Sequence, residues 1–266
     1  MRRAISAVLV ATTLAFGLTN QASAGPLEDG SAAYKLGDYP MALRLWEPLA
    51  KQGDASAQIN LGNMYYNGRG VPQNYAEAVK FWRLAAEQGH ASAQSKLGVM
   101  YDNGRGVPQN YAEAVKWYRL AADQGDADTQ TLLGSMYRVG QGVQQNYAEA
   151  MKWYRLAADQ GIASAQYNLG LMYFKGQGVP QNNSEAVKWF RLAADQGDTQ
   201  TQTLLGLMYS LGRGVPQNYV LAHMWFNLAA AGGAEAAIRG RDRVASKMTP
   251  TQLAEAQRLA ASWKPK

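Results

Sequence analysis

The sequence contains no cysteine, and this absence removes several kinds of chemistry together. Disulfide bonds, thiol nucleophiles and thiolate metal sites all require cysteine side chains. Histidine is nearly as scarce, with two residues in 266. No nucleophile–base pair, metal-ligand cluster or phosphate-binding loop stands out elsewhere. The sequence therefore argues against an enzyme and predicts no cofactor and no metal site.

A surplus of charge of one sign is also missing from most of the chain, although its isoelectric point is about 9.4. Residues 25–233 contain 17 basic and 17 acidic side chains, whereas residues 235–266 contain seven basic and three acidic ones. A protein that holds a phosphate backbone along its length needs a basic surface along that length. We therefore expect no nucleic-acid binding.

Long apolar runs are rare, and the most sustained one lies at residues 4–18, after Arg2 and Arg3. It is shorter than the about 20 residues that a membrane-spanning helix needs. Residues 22–24 read Ala-Ser-Ala, which is typical of a signal-peptidase site. We predict a signal peptide at residues 1–24, cleaved after Ala24, with an uncleaved anchor as the alternative. The mature protein is then expected to be periplasmic or secreted, without a membrane span.

What the chain does have is a 36-residue motif that occurs five times. Gln58, Leu61-Gly62 and Met64-Tyr65 each recur at this spacing in every copy. Such a period is typical of stacked supersecondary units, each of which buries its apolar face against its neighbours. The predicted repeats are residues 54–89, 90–125, 126–161, 162–197 and 198–233.

Within one repeat the residues predict a helical hairpin. Residues 55–67 have the length of a helix, and Gly68 suits a left-handed cap. A connector rich in glycine and proline follows, and Asn74 with Glu77 predicts a capping box at the start of a second helix. Residues 25–53 are predicted to form a tetratricopeptide-like capping hairpin, and residues 234–266 to form C-terminal capping helices. The predicted fold class is all-α.

The repeated string Ala-x-Ala-Gln-x-x-Leu-Gly-x-Met-Tyr-x-x-Gly-x-Gly-Val-Pro-Gln-Asn-Tyr-x-Glu-Ala resembles the Sel1-like repeat, a relative of the tetratricopeptide repeat with a longer connector. The resemblance covers residues 54 to about 233. It implies a right-handed α-solenoid, a superhelix of stacked helix-turn-helix units. A tetratricopeptide array is disfavoured because its period is about 34 residues.

Comparison of the five copies divides the first helix into two faces. On a helical wheel, the unchanged residues Gln58, Leu61 and Met64 lie opposite the registers of Ile59, Asn63 and Tyr66, which change freely between copies. We predict that the changing face binds a partner; a tolerant solvent-facing surface is the alternative. The predicted binding residues are Ile59, Asn63, Tyr66, Ser95, Val99, Asp102, Thr131, Ser135, Arg138, Tyr167, Leu171, Phe174, Thr203, Leu207 and Ser210.

The resemblance implies that first helices line the concave side of the superhelix and bind protein in that groove. We therefore predict an exported, monomeric protein–protein interaction scaffold, either a periplasmic regulator that restrains a membrane sensor or a secreted factor that contacts host proteins. Near the C-terminal end the changing face becomes apolar, with Leu204 and Leu211 beside it. This patch is either a partner site or is covered by the C-terminal helices.

Other functions remain as alternatives. Aromatic doublets such as Trp117-Tyr118 recur on the second helix and, if accessible, would indicate a cell-wall or glycan-binding module. Cysteine-rich relatives of the resembled family are associated with penicillin binding or β-lactam hydrolysis, but this chain lacks their cysteine pairs. His90 is expected to face solvent. His223 occupies an apolar register and is expected to be a hydrogen-bonded core residue.

Overall fold

A computed structural model describes residues 25–265, which form fourteen α-helices and no β-strand. The predicted signal peptide lies outside the described residues. The helices are α1 Pro26–Lys35, α2 Tyr39–Lys51, α3 Ala55–Asn67, α4 Tyr75–Glu87, α5 Ala91–Asn103, α6 Tyr111–Asp123, α7 Ala127–Val139, α8 Tyr147–Asp159, α9 Ala163–Lys175, α10 Asn183–Asp195, α11 Thr199–Leu211, α12 Tyr219–Ala231, α13 Glu235–Ala245 and α14 Pro250–Ser262.

The helices pack as a linear stack of hairpins. Each odd-numbered helix up to α11 packs on the next even-numbered helix, which in turn packs on the first helix of the following hairpin. Apolar side chains fill both kinds of interface, so the core runs through the stack. The predicted all-α helical solenoid is confirmed. Between residues 25 and 265, no helix combines the length and apolarity that crossing a membrane requires.

Helix boundaries follow local capping chemistry. Asp54 accepts a hydrogen bond from the Ala57 amide at 2.7 Å, and α3 ends at Gly68, whose φ of 66° is left-handed. Asn74 caps α4 by accepting from the Glu77 amide at 3.1 Å. The prediction of a full capping box is wrong, because it requires the Glu77 side chain to accept from the Asn74 backbone amide. That amide donates instead to the Tyr65 carbonyl across the connector. The Glu77 carboxylate instead pairs with Lys80 at 2.6 Å.

The glycine inside each first helix lets the two helices of a hairpin approach closely. A Cβ atom at Gly98 would lie 2.5 Å from the ring of Tyr118, the second residue of an aromatic doublet. Equivalent contacts join Gly134 to Tyr154 and Gly170 to Phe190. Since real Cβ atoms do not approach so closely, only glycine fits at this crossing. The aromatic ring thereby fills the space that a side chain would have taken.

The second glycine of each connector makes the contact to the previous repeat. A Cβ at Gly106 would lie 2.4 Å from the carbonyl carbon of Tyr75, at the start of the preceding second helix, and its φ is 70°. Close approach and left-handed backbone both require glycine here. The connector is tied down further by Gln109, whose amide donates to the Asp102 carbonyl at 2.7 Å.

A buried glutamine in each of the first helices α3, α5, α7 and α9 links three helices. The Gln94 side-chain amide donates to the Ala86 carbonyl of the previous repeat at 3.1 Å, and its oxygen accepts from Gln124 at 2.7 Å. The same relay joins Gln160 to Gln130 at 2.9 Å and continues into the repeat before. Because a buried amide must be satisfied, this relay explains why the register of Gln58 does not change.

The two C-terminal helices, α13 and α14, pack on α12, which carries one of the two histidines. His223 on α12 is 4 % exposed, so its predicted burial is confirmed. The expected hydrogen bond is not found at Nδ1, which has no partner among the described residues. Burial, and secondarily the charge of Arg241, lowers the pKa of His223. His90, as expected, is exposed.

Replacing the crossing glycine should destabilise the protein. We expect Gly98→Ala to lower the free energy of unfolding by about 1–3 kcal/mol through overpacking against Tyr118. The intrinsic helix preference of alanine acts in the opposite direction, by about 1 kcal/mol. Urea denaturation followed by circular dichroism measures the difference. Ser92→Ala, at an exposed position of the same helix, is the control. A Gly98→Ala protein as stable as wild type would contradict the close crossing.

Burial of His223 should make stability depend on pH. Because the pKa is lowered in the folded state, the unfolded chain binds the proton more readily, and stability falls as the pH drops below about 6.5. His223→Leu removes this effect and also removes the unpartnered Nδ1 at this position. We expect the variant to gain stability relative to wild type between about pH 7.5 and 5.5, as measured by thermal unfolding. Parallel pH profiles for the two proteins would show that His223 does not titrate differently on unfolding.

Candidate functional site

The predicted binding residues all lie on the exposed side of the first helices. None of the fifteen is buried, and Leu207 is 45 % exposed. Most of the unchanged residues of the same helices are buried, with Gln58 at 3 % and Leu61 at 1 % exposure, whereas Tyr65 is half-buried. The difference arises because the glycine-bearing face turns towards the second helix. The changing residues are therefore available to solvent, as the binding hypothesis requires.

Recesses open between consecutive first helices. One of about 200 Å³ lies between α1 and α3, with Tyr34 and Asn60 in its wall. A second, of about 420 Å³, lies between α3 and α5. Its lining includes the predicted residues Asn63, Tyr66, Ser95 and Val99. The changing residues of these neighbouring repeats thus share a recess. We call the surface formed by the fifteen predicted binding residues and the recesses beside them the first-helix groove.

The middle of the first-helix groove carries two opposite charges in equivalent positions. The Asp102 carboxylate accepts from the Tyr118 hydroxyl at 3.3 Å, and Arg138 donates from Nε to the Tyr154 hydroxyl at 3.3 Å. Burial raises the pKa of Asp102, and the hydrogen bond from Tyr118 offsets part of that rise. Burial also raises the pKa of the Tyr118 hydroxyl, which therefore stays protonated and acts as a donor.

The polarity of the groove follows the aromatic residue beneath it. The next two copies have Phe190 and Phe226 in place of a tyrosine, and these rings offer no hydroxyl. In the fourth copy, the position equivalent to Asp102 and Arg138 is occupied by the apolar Phe174. The groove therefore changes from charged in its middle to apolar towards its C-terminal end.

A cavity of about 800 Å³ lies at that apolar end, between α9, α11 and α13. Four predicted residues line it, namely Tyr167, Leu171, Thr203 and Leu207. The helix α13 packs on α11 as well as on α12, and so forms the far wall. Leu211 nevertheless remains 52 % exposed. The C-terminal helices therefore close the end of the groove without covering the apolar patch.

Polar side chains on α9, α11 and α13 also line this cavity. The Tyr167 hydroxyl accepts from the Gln200 side-chain amide at 2.7 Å. Burial, followed by the nearby charge of Asp198, raises the pKa of Tyr167. On the α13 wall, Arg239 pairs with Glu235 at 3.4 Å.

Sequence reasoning missed the contribution of α13, which supplies Glu235, Arg239, Gly240 and Arg243 to the cavity. The excess of basic residues after residue 234 was the signal that could have identified this helix. The connector residue Arg105 donates to the Tyr66 hydroxyl at 3.2 Å, which restrains one predicted groove residue.

The aromatic doublets do not form an accessible ladder. Trp82, Tyr118 and Tyr154 are each at most 3 % exposed because they fill the glycine crossings. Of the first residues of the doublets, Trp153 and Trp225 are also buried, whereas Phe81, Trp117 and Trp189 are half-buried. Stacking of sugar rings requires exposed aromatic faces, so these doublets serve the core. Among the described residues, no group of three or more acidic or histidine side chains could hold a metal ion.

Solved structures with the same fold include two that resemble this chain in sequence. A protective antigen present in uropathogenic Escherichia coli strains, which displays an SLR fold, is 37 % identical over 89 % of this chain, with a TM-score of 0.81. This chain spans only 52 % of that longer one. A Sel1 repeat protein from Oxalobacter formigenes is 33 % identical, with a TM-score of 0.78, and the match covers 90 % of this chain and all of the other.

Among curated proteins, no match to this chain was found. The family model of the Sel1 repeat, however, matches the chain six times. The matched residues are 27–54, 55–90, 91–126, 127–162, 163–198 and 199–233. The N-terminal hairpin, predicted as a cap, is thus recognised as a further repeat whose connector between α1 and α2 is short. Sel1 repeat proteins generally mediate protein–protein interactions, and this chain belongs to the Sel1 repeat family.

Proposed function

We propose that this protein is an exported, non-catalytic scaffold that binds a partner protein in the first-helix groove. The observation that carries the proposal is the division of each first helix. Most of its unchanged residues are buried in the stack, whereas none of the changing residues is buried and several of them line recesses. A surface that varies while its support is fixed is the arrangement with which repeat proteins adapt to different partners.

The alternatives have less support. The family is generally non-catalytic. The described residues supply no set of side chains with the geometry of a nucleophile and its base. A glycan-binding role would need the aromatic doublets at the surface, where most of their rings are not found. Binding of a protein segment, by contrast, requires no rearrangement, because the first-helix groove already presents both polar and apolar side chains.

Export is part of the proposal because residues 1–24 have the pattern of a signal peptide. If the protein is exported, its partner is a periplasmic or secreted protein or the exposed domain of a membrane protein. Cell fractionation followed by N-terminal sequencing tests this directly. A mature form that begins at Gly25 in the periplasm or medium is expected, and an intact N-terminus in the cytoplasm would contradict it.

Site-specific photo-crosslinking in cells tests the groove. A photoreactive amino acid is placed at Val99 or Ser135 in the groove and, as matched controls, at Leu120 or Leu156 on second helices. All four positions are at least partly exposed. We expect discrete crosslinked products from the groove positions and none of these from the controls, because contact with the partner is confined to the first helices.

The groove assignment is then checked by blocking. A second substitution, Ser135→Arg, adds a bulky charge at the centre of the groove and should abolish the product formed from Val99. Circular dichroism verifies that the blocked protein still folds. Crosslinks of the same mass from both faces, or products that persist after blocking, would show that the groove is not the binding surface.

A further inference from the structure

We infer that the closed C-terminal end of the first-helix groove is a pocket for an acidic segment of the partner, one that inserts an apolar side chain and places a carboxylate against α13. This inference rests on the proposed function and names the chemistry of the ligand at one end of the groove. It follows from the shape of the cavity, from its apolar lining and from the charge on one wall.

The cavity has the size and surface of a side-chain pocket. Its volume of about 800 Å³ would hold several apolar side chains. Its lining includes Leu171, Leu204, Leu207 and Phe226. Leu207 and Leu211 keep 45 % and 52 % of their surface exposed although a core lies directly beneath them. Covering such a patch with an apolar side chain is favourable because it removes apolar surface from water.

The α13 side of the cavity carries two arginines, Arg239 and Arg243, and one carboxylate, that of Glu235. Residues 235–266 contain seven basic and three acidic side chains, while residues 25–233 are balanced. Arg239 lies 3.4 Å from the Glu235 carboxylate, and Arg241 lies 3.0 Å from that of Asp242. Arg243, which lines the cavity, has no carboxylate partner in the part of the chain that the structure describes.

A second basic side chain extends the same edge. Lys247 lies in the turn that follows α13, and both it and Arg243 border a recess of about 100 Å³ that adjoins Leu207 and Leu211. An exposed arginine beside an apolar pocket binds carboxylates by charge-assisted hydrogen bonds. The complementary ligand therefore combines an apolar residue, of the size of leucine or phenylalanine, with an aspartate, a glutamate or a chain-terminal carboxylate close to it.

Selection from a random peptide library displayed on phage tests the inference without a known partner. Wild-type protein is expected to enrich peptides that carry acidic residues next to leucine or phenylalanine. Synthetic versions of these peptides, with a fluorescent label, are then titrated against the variants. Arg243→Ala should weaken binding about tenfold, and Arg243→Glu should weaken it further. Leu207→Glu should abolish it, because the charge enters the apolar lining.

Matched controls separate these effects from general changes in charge or stability. Leu156→Glu changes the same residue type at 42 % exposure on a second helix, and Lys51→Glu reverses a charge at an exposed position on α2. Both should bind the peptides as wild type does. A peptide with lysine in place of its acidic residue should recover affinity for Arg243→Glu, which identifies the contact itself.

The outcomes distinguish this inference from the proposed function. Enriched peptides that are basic or uncharged, or whose binding is unaffected by Arg243→Glu, would overturn the acidic pocket. If Ser135→Arg nevertheless blocked the binding of such peptides, the groove would remain the binding surface but would prefer a different ligand chemistry. Peptides that bind equally well to Ser135→Arg, Leu207→Glu and wild type would contradict both.

Discussion

The close crossing of two helices at a helix-internal glycine is the constraint on which the remainder of the structure depends. In every hairpin from α3 to α12, the glycine receives the ring of the second residue of an aromatic doublet. A glycine in a helix costs about 1 kcal/mol relative to alanine. The contact offsets that cost because the buried ring fills the crossing. Once this contact is made, the rotation of the first helix is fixed, and its opposite face must point away from the core.

The same contact connects the core to the chemistry of the groove. When the crossing ring is a tyrosine, its hydroxyl emerges beside the groove and binds a charged residue, as Tyr118 does with Asp102 and Tyr154 with Arg138. When it is a phenylalanine no such bond forms, and Phe174 occupies the groove position above Phe190. The identity of the crossing ring therefore decides whether a charged groove residue has a hydrogen-bond partner in the core.

Much of this fold could be predicted from the sequence because its determinants are local and repeated. The helix caps at Asn74 and Gly68 and the crossing glycines are visible within one 36-residue motif. The relay from Gln124 through Gln94 to Ala86 was not predictable, since it joins three helices that only the stacked structure brings together. For the same reason, the changing face of the first helix was identified but the wall formed by α13 was not.

Where α13 forms the wall of the cavity, the last repeat departs from the sequence pattern of the earlier repeats. The residue that donates to the buried glutamine of each earlier repeat, such as Gln196 to Gln166 at 2.9 Å, is replaced after α12 by Gly232. A Cβ at Gly232 would lie 2.9 Å from Thr199 Oγ1, so the end of α12 approaches the start of α11 closely. From there α13 continues against both α11 and α12. The loss of one glutamine thus accompanies a change in helix packing that turns an open groove into a pocket with a basic edge.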